Sequence, residues 1–549
     1  MLRRDRSIAE HRQHRANLDT PHDTPELVHN PYHSWKHSFF IPTALLSALL
    51  ALFLAGTFAG SDLSLRRRPI NQALSNGTHD FGRTVVLVSI DGFRADYLTR
   101  GLTPHLLDIC AAGIRAEFMK PIFPVCYFLQ VFIFVTGLYA ESHGMIGNDF
   151  YDPQLGSSFT ISDPDSSHWR WWHGEPIWET VQRAGLPAAS IMWPGPQTTS
   201  SGISPTYYVP FKMTYTPEDR ITQVLDWIDL PIEERPRLIL VYEPLLDQAG
   251  HVAGPESELV NKTLPIVSDF AHALVHHLHS VRNLSHIVDV IIVSDHGMED
   301  TSKWEMVYVD DILCDDVDAS DSEQRWPACA GVDHVDGWPS MGLWFKPGVN
   351  PTPALSRLIR ASESGKFDVY TSATYITTAT DNTDDTDDTK SMLIPPPPTM
   401  PERYHYSSSP RLAPVWVIPR LGYALTDRVE NGTLMSTGNH GYDNEEPSMR
   451  AVFMTQGPFA DGVKRHLRRT GGGALDRRSE TMGRYRDTED ECNVLPSFAN
   501  VELYNLVVRL LGVEHYAAET NGTRGFWDLW DGGREGLGCD DAEGVLGLW

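Results

Sequence analysis

Three aspartates and three histidines of this sequence stand where ligands of a divalent cation would be placed. Asp91 ends the apolar run of "VVLVSIDGF", and Asp295 and His296 end that of "VIIVSDHGM". Asp247 and His251 lie four apart in "VYEPLLDQAGH", and His440 sits in the glycine-flanked "TGNHGYDN". Carboxylate oxygen and imidazole nitrogen are the hard and borderline donors that zinc accepts. A four-residue spacing lets Asp247 and His251 face one ion if the segment turns helically. Each piece alone has a plainer reading: Asp91 as the start of a turn, Asp247 as a helix cap, His296 as a hydrogen-bonded loop histidine. Taken together, their placement favours a metal centre. Six donors exceed what one tetrahedral ion with an open position needs, but they divide into two sets of three. Paired ions about 4 Å apart stabilise the attacking and leaving oxygens of an in-line displacement at phosphorus.

Such donors need a scaffold that delivers them to one place. Continuous apolar runs at Thr84 to Ile90, Ala188 to Met192, Arg237 to Tyr242, Ile287 to Ser294 and Ala451 to Met454 suit buried parallel strands. Val260, Leu264, Val267, Phe270, Leu274 and Leu278 fall on one helical face, and a second helix through "NVELYNLVVRLLG" stops at Gly512. Strands alternating with helices predict a doubly wound α/β domain, its mostly parallel sheet flanked by helices. Ligands of such sheets bind beyond the carboxyl ends of the strands, which is where the candidate donors lie.

The chain has 549 residues, a formal net charge of -27 and 41% apolar residues. That charge argues against a nucleic-acid-binding surface, which needs clustered Lys and Arg. An anionic substrate would need a local cation, such as a bound metal. Residues 39–60, "FFIPTALLSALLALFLAGTFAG", are long and apolar enough to span a bilayer as one helix. The expected organisation is a disordered tail over 1–38, the transmembrane signal anchor over 39–60 and a stalk over 61–83. A catalytic domain over 84–525 with flexible insertions near 376–400 and 464–491 follows, then a tail over 526–549. Sequons at Asn76, Asn261, Asn283, Asn431 and Asn521 all follow the anchor, which makes the domain lumenal or extracellular. Cys314 with Cys329, and Cys492 with Cys539, are the expected disulfides, leaving Cys110 and Cys126 free and buried. The sequence sets no oligomeric state.

Asp91, the segment "VTGLYAESHGMIGNDFYDP", then "DQAGH", "SDHGM" and "NHGYDN" resemble, in this order, the nucleotide pyrophosphatase/phosphodiesterase family of the alkaline phosphatase superfamily. The likeness runs from about Thr84 to about Gly522 and includes "MWPG", "PERYHY" and "FANVELYNLVVRLLG". It implies an alkaline phosphatase-like fold and cleavage of phosphodiester or pyrophosphate bonds with release of nucleoside 5′-monophosphates. It implies one zinc held by Asp247, His251 and His440, a second held by Asp91, Asp295 and His296, and an Asn148 amide donating to a non-bridging phosphate oxygen.

The family pattern F-P-T-x-T-F-P-N carries the nucleophile as its second threonine. Laid without gaps from Phe123-Pro124 to Thr136-Gly137, this chain has Val125 at the first threonine, Tyr127 at the nucleophile and Leu129-Gln130 at the Pro-Asn. A phenol oxygen lies several bonds further from the backbone than a threonine oxygen, and misplacement by about 1 Å can cost a hundredfold. The expectation therefore carries two alternatives: an impaired relative that binds metal and nucleotide, and a phosphatase or sulfatase of the same superfamily. Phe128 matches the aromatic after the family nucleophile. Tyr207 or Tyr208, in "SPTYYVPF", is the candidate opposite wall of a base-stacking slot, although ordinary core aromatics fit there equally.

Overall fold

A strand whose side chains are apolar on both faces belongs inside a sheet covered on both sides. The computed structural model bears this out, and it describes residues 72–314, 330–375, 398–428, 436–469 and 492–531. Its main sheet consists of β1 (Thr84–Ile90), β2 (Ile114–Ala116), β3 (Ala188–Ile191), β4 (Tyr207–Val209), β5 (Leu238–Glu243), β6 (Val288–Val293), β7 (Phe453–Gln456) and β8 (Val494–Leu495). Their order across the sheet is β8-β2-β7-β6-β1-β5-β3-β4. Every residue of β1, β5 and β6 is buried. The strands β6, β1, β5, β3 and β4 run parallel, and the doubly wound α/β architecture follows.

Strand β7 departs from the expectation over Ala451 to Met454. It starts two residues later and runs antiparallel to β6, with Val293 opposite Phe453. The reversal has a use: the chain leading into β7 lies at the carboxyl end of β6, so the loop carrying His440 arrives beside Asp295.

Flanking the sheet are α1 (Pro104–Ala112), α2 (Tyr127–Thr136), α3 (Pro217–Ile228), α4 (Leu245–Ala253), α5 (Glu258–Val275) and α6 (Glu502–Leu511). The predicted face of α5 is buried from Val260 to Leu274, and Leu278 continues it into the following turn. Gly512 ends α6 in the left-handed conformation at φ 72°. Helix α2 explains the apolar run that opens it. Residues 129–136 are all buried, and the helix packs against α6 and two short helices, Ala140–His143 and Ile177–Arg183. A helix enclosed on all sides is apolar all round. A second, antiparallel sheet has the order Val332–Asp336, Met341–Phe345, Val415–Pro419, Phe367–Thr371, with its own core around Leu343, Leu358 and Val417.

Several expected boundaries move. Leu74–Ser75 and Asp80–Phe81 form a hairpin, and buried Phe81 lies 3.9 Å under the Arg235 guanidinium, so the domain begins inside the expected stalk. Phe526, Trp527 and Trp530 are buried, and Trp527 Nε1 donates to the Glu502 carbonyl at 2.8 Å, so it continues into the expected tail. Residues 464–469, assigned to an insertion, complete the helix Pro458–Arg469.

Cys110 and Cys492 form a disulfide, contrary to the expected pairing of Cys492 with Cys539 and a free Cys110. The cause is topological: β2 follows α1 and pairs with β8, bringing positions 110 and 492 together. Cys314 is disulfide-bonded, and Cys126 is free and buried. The expected anchor over 39–60, the insertion residues 376–397 and 470–491, Asn431, Cys329 and Cys539 lie outside the described residues. Among those described, no helix is long and apolar enough to cross a membrane.

Candidate metal centre

Register decides where the donors meet. Ser89 of β1 lies opposite both Tyr242 of β5 and Val293 of β6, so the three strands end level. Asp91 leaves β1 directly, Asp295 and His296 leave β6 after Ser294, and α4 begins two residues beyond β5 with Asp247 in its first turn. Gly92 turns the chain after Asp91 at φ +69°, and a Cβ there would sit 2.9 Å from the Asp247 Cα. Gly438 passes so close to α4 that a Cβ would stand 2.4 Å from the Gly250 carbonyl oxygen, which seats the His440 loop against His251.

The six side chains converge as two sets, Asp247 with His251 and His440, and Asp91 with Asp295 and His296. Within each set the donor atoms lie within 4.8 Å of one another. His251 Nε2 is 3.4 Å and His440 Nε2 3.7 Å from Asp247 Oδ1. His296 Nε2 is 3.3 Å from both Asp91 Oδ1 and Asp295 Oδ2. The sets adjoin, because the rings of His296 and His440 stack with centroids 3.6 Å apart.

Hydrogen bonds on the far side of each imidazole fix its tautomer. His251 Nδ1 faces the Gly438 carbonyl at 2.8 Å, His296 Nδ1 the Gly297 carbonyl at 2.8 Å and His440 Nδ1 the Val125 carbonyl at 2.8 Å. A carbonyl only accepts, so each Nδ1 carries the proton and each Nε2 presents a lone pair to its neighbours. Asp295 Oδ1 accepts from the backbone N–H groups of Gly92 and His296, leaving Oδ2 for the site. The Tyr242 hydroxyl donates to Asp91 Oδ2, leaving Oδ1.

Asp91 Oδ1, Asp247 Oδ1, Asp295 Oδ2 and His296 Nε2 are buried without a hydrogen-bond partner. An orphaned buried polar atom is costly, and three in one triad and one in the other, each facing the rest of its own set, are the arrangement a cation would satisfy. The charge state agrees. Burial, reinforced by the Asp247 and Asp295 carboxylates, pushes the Asp91 carboxyl well up, and burial pushes Asp295 up to about 6. Burial pushes His296 down to about 4 and His440 well down, the latter helped by His296 and His251. Crowded carboxylates that resist ionisation give up their protons once positive charge sits between them, and imidazoles that resist protonation are already in the neutral form that ligates a cation.

The family follows from the chain itself. Residues 85–443 match the model of the type I phosphodiesterase/nucleotide pyrophosphatase family. The chain belongs to that family. An uncharacterised pyrophosphatase/phosphodiesterase of Schizosaccharomyces pombe is 33% identical over 398 residues, 71% of this chain and 74% of the relative. Ectonucleotide pyrophosphatase/phosphodiesterase family member 3 of Rattus norvegicus is 31% identical over 443 residues, 80% of this chain and 43% of the relative. The venom phosphodiesterase of Macrovipera lebetinus is 31% identical over 80% of this chain and 44% of its own length. The chain thus spans less than half of these two longer relatives. A solved structure of murine ectonucleotide pyrophosphatase/phosphodiesterase 5, in an inactive form with AMP, has a TM-score of 0.63 and 26% identity, covering 82% of this chain and 99% of its own.

The remaining expected positions divide. Asn148 stands in the loop before the strand Asp149–Asp152, half-buried, with its Oδ1 unpartnered. Tyr127 and Phe128 open α2, and their side chains lie outside the described residues. Tyr207 is not brought to the candidate ligands. It pairs with Ala189 and, through it, stands level with Ile239, four residues short of the end of β5, or roughly 13 Å down the sheet. Its hydroxyl donates to the Glu234 carbonyl at 2.9 Å, and its ring packs near Trp227. Tyr208 is one step nearer and half-buried. Two aromatics that sequence reading passed over are closer. Tyr242 bonds Asp91, and Phe211, 47% exposed, lies with its ring 6.4 Å from that of Tyr242. Phe211 closes the same "SPTYYVPF" motif, but nothing in the motif marks it over the two tyrosines.

Proposed function

We propose that this chain is a two-zinc phosphodiesterase/nucleotide pyrophosphatase that cleaves nucleotide phosphodiester or pyrophosphate bonds and releases 5′-monophosphates. The observation that carries this reading is the pair of adjoining triads, four of whose donor atoms are buried and unpartnered. Asp247, His251 and His440 would hold one ion and Asp91, Asp295 and His296 the other. When bound, two such ions supply the positive field that a phosphodiester needs in an otherwise acidic protein. The carbonyls of Gly438, Gly297 and Val125 hold the three imidazoles in orientation throughout. Asn148 donates its amide to a non-bridging oxygen, and Phe211 offers an apolar wall to a base. The domain is held at a membrane by residues 39–60 and faces a lumen or the cell exterior. The Cys110–Cys492 disulfide and the exposed Asn283 and Asn521 sequons support that placement.

One feature favours a second reading, a relative that binds metal and nucleotide without turnover: Tyr127 stands where the family has its nucleophilic threonine. The inactive form of the murine relative in complex with AMP supports such a state. Hydrolysis of an aryl ester of thymidine monophosphate, measured with Tyr127 and with Tyr127→Thr, separates the two. Chelator-sensitive turnover by the unaltered chain that Asp247→Asn abolishes supports the enzyme. No turnover, together with zinc-dependent binding of AMP, leaves the binding protein.

A further inference from the structure

Away from the triads, a second group of ligand-type side chains spans α1 and α5. His105 and Asp108 lie three apart on α1, and Asp269, His272 and His276 lie three and four apart along α5 and the turn that continues it. Those spacings place each set on one helix face. Packing brings the faces together: the Leu106 backbone N–H donates to Ser268 Oγ at 3.3 Å, which seats the first turn of α1 on α5. His105 stacks on His272 with ring centroids 4.5 Å apart, and His272 lies parallel to His276 at 6.0 Å, so three imidazoles form a row.

His105 stands between two carboxylates. Its Nδ1 is 3.3 Å from Asp108 Oδ2 and its Nε2 is 3.5 Å from Asp269 Oδ1. The Nδ1 contact is the hydrogen bond, which leaves the Nε2 lone pair facing the Asp269 carboxylate. The row is remote from the proposed catalytic centre, with His272 about 20 Å along α5 from the end nearest α4 at 1.5 Å per residue.

We propose that His272 and His276, joined by His105 and Asp269, bind one divalent transition-metal ion of the zinc class and clip α1 to α5. Imidazole suits zinc, copper and nickel, and an i, i+4 pair on a helix supplies the chelate. The donor atoms are spread wider here than in the triads, whose members all lie within 4.8 Å of one another. Asp269 is 69% and His105 40% exposed, and exposed side chains change rotamer within nanoseconds, so these two can move to close the gap.

The test is a zinc titration of the full chain, stripped of metal, against His272→Ala/His276→Ala. The unaltered chain should take up one equivalent more than the double variant. The same difference should persist when Asp91→Asn/Asp247→Asn disables both triads, so the outcome does not depend on the two-zinc reading. The single change His276→Gln, at an exposed position, is the second arm and should weaken the extra equivalent at least tenfold while leaving the melting temperature in chelator unchanged. Equal uptake by the unaltered chain and both surface variants overturns the proposal.

Discussion

His440 Nδ1 lies 2.8 Å from the carbonyl oxygen of Val125, so the segment leading into α2 reaches the candidate metal centre through its backbone. Side chains there can diverge from the family pattern while this link stays. What holds the backbone in place is Gln130, the polar residue inside the apolar run. Its Nε2 donates to the carbonyls of Ile122 at 2.7 Å and Pro124 at 3.1 Å, and its Oε1 accepts from Ile122 N–H at 3.2 Å and Asn500 Nδ2 at 2.6 Å.

Gln130→Leu should therefore act on both stability and metal retention. Each buried group it orphans costs roughly 1–3 kcal/mol. Urea denaturation should show a loss of at least that size. Zinc affinity should fall at the His440 triad before the Asp91 triad. Unchanged affinity at both would show that Gln130 serves the fold alone.

Asp91→Asn should reverse its effect with conditions. In chelator, the buried carboxyl is held well above its ordinary range by burial and by Asp247 and Asp295, and an amide removes that penalty while still accepting from Tyr242. The variant should then melt above the unaltered chain. In zinc it should melt below, because a ligand at 100 times its Kd contributes about 2.7 kcal/mol that the variant loses. Paired thermal melts check both signs.

Asp91, Asp295 and His296 were legible in the sequence because each follows a strand with no polar face, and parallel strands in register end level. His440 was legible only as a histidine between glycines, since its approach depends on β7 running antiparallel, which the apolar pattern does not encode. Tyr242 was invisible because it closes an apolar run and its hydroxyl serves a residue 151 positions away. Tyr207 was not placeable from the sequence, because a three-residue strand gives no sign of which end of the sheet its first residue occupies. The Cys110–Cys492 pair follows from the pairing of β2 with β8, a contact with no local signature.

That disulfide closes a sequence separation of 382 residues. A cross-link across so long a loop restrains the unfolded chain, and such bonds contribute about 2–4 kcal/mol. Cys492→Ser should lose that amount in chemical denaturation without altering zinc uptake. Thiol labelling under native conditions should leave Cys126 unmodified, because it is buried and its thiol is pushed up to about 12.

Glu502 gives a pH signature separable from the metal site. It opens α6 fully buried, with Oε1 accepting from the Thr523 N–H at 2.8 Å and Oε2 unpartnered. Burial raises its carboxyl from 4.5 to about 7. Between those values the folded chain holds a proton that the unfolded chain releases. The stability tied to protonation is therefore complete below pH 4.5 and lost as pH rises through 7. Glu502→Gln cannot ionise and still accepts from Thr523. Relative to the unaltered chain it should gain stability steadily from pH 4.5 to 7 and level off above, by about 3 kcal/mol at most. Titrations common to both proteins cancel in this difference, so denaturation series in chelator at several pH values isolate the one group. A difference that stays flat across the interval would mean that Glu502 ionises normally inside the fold.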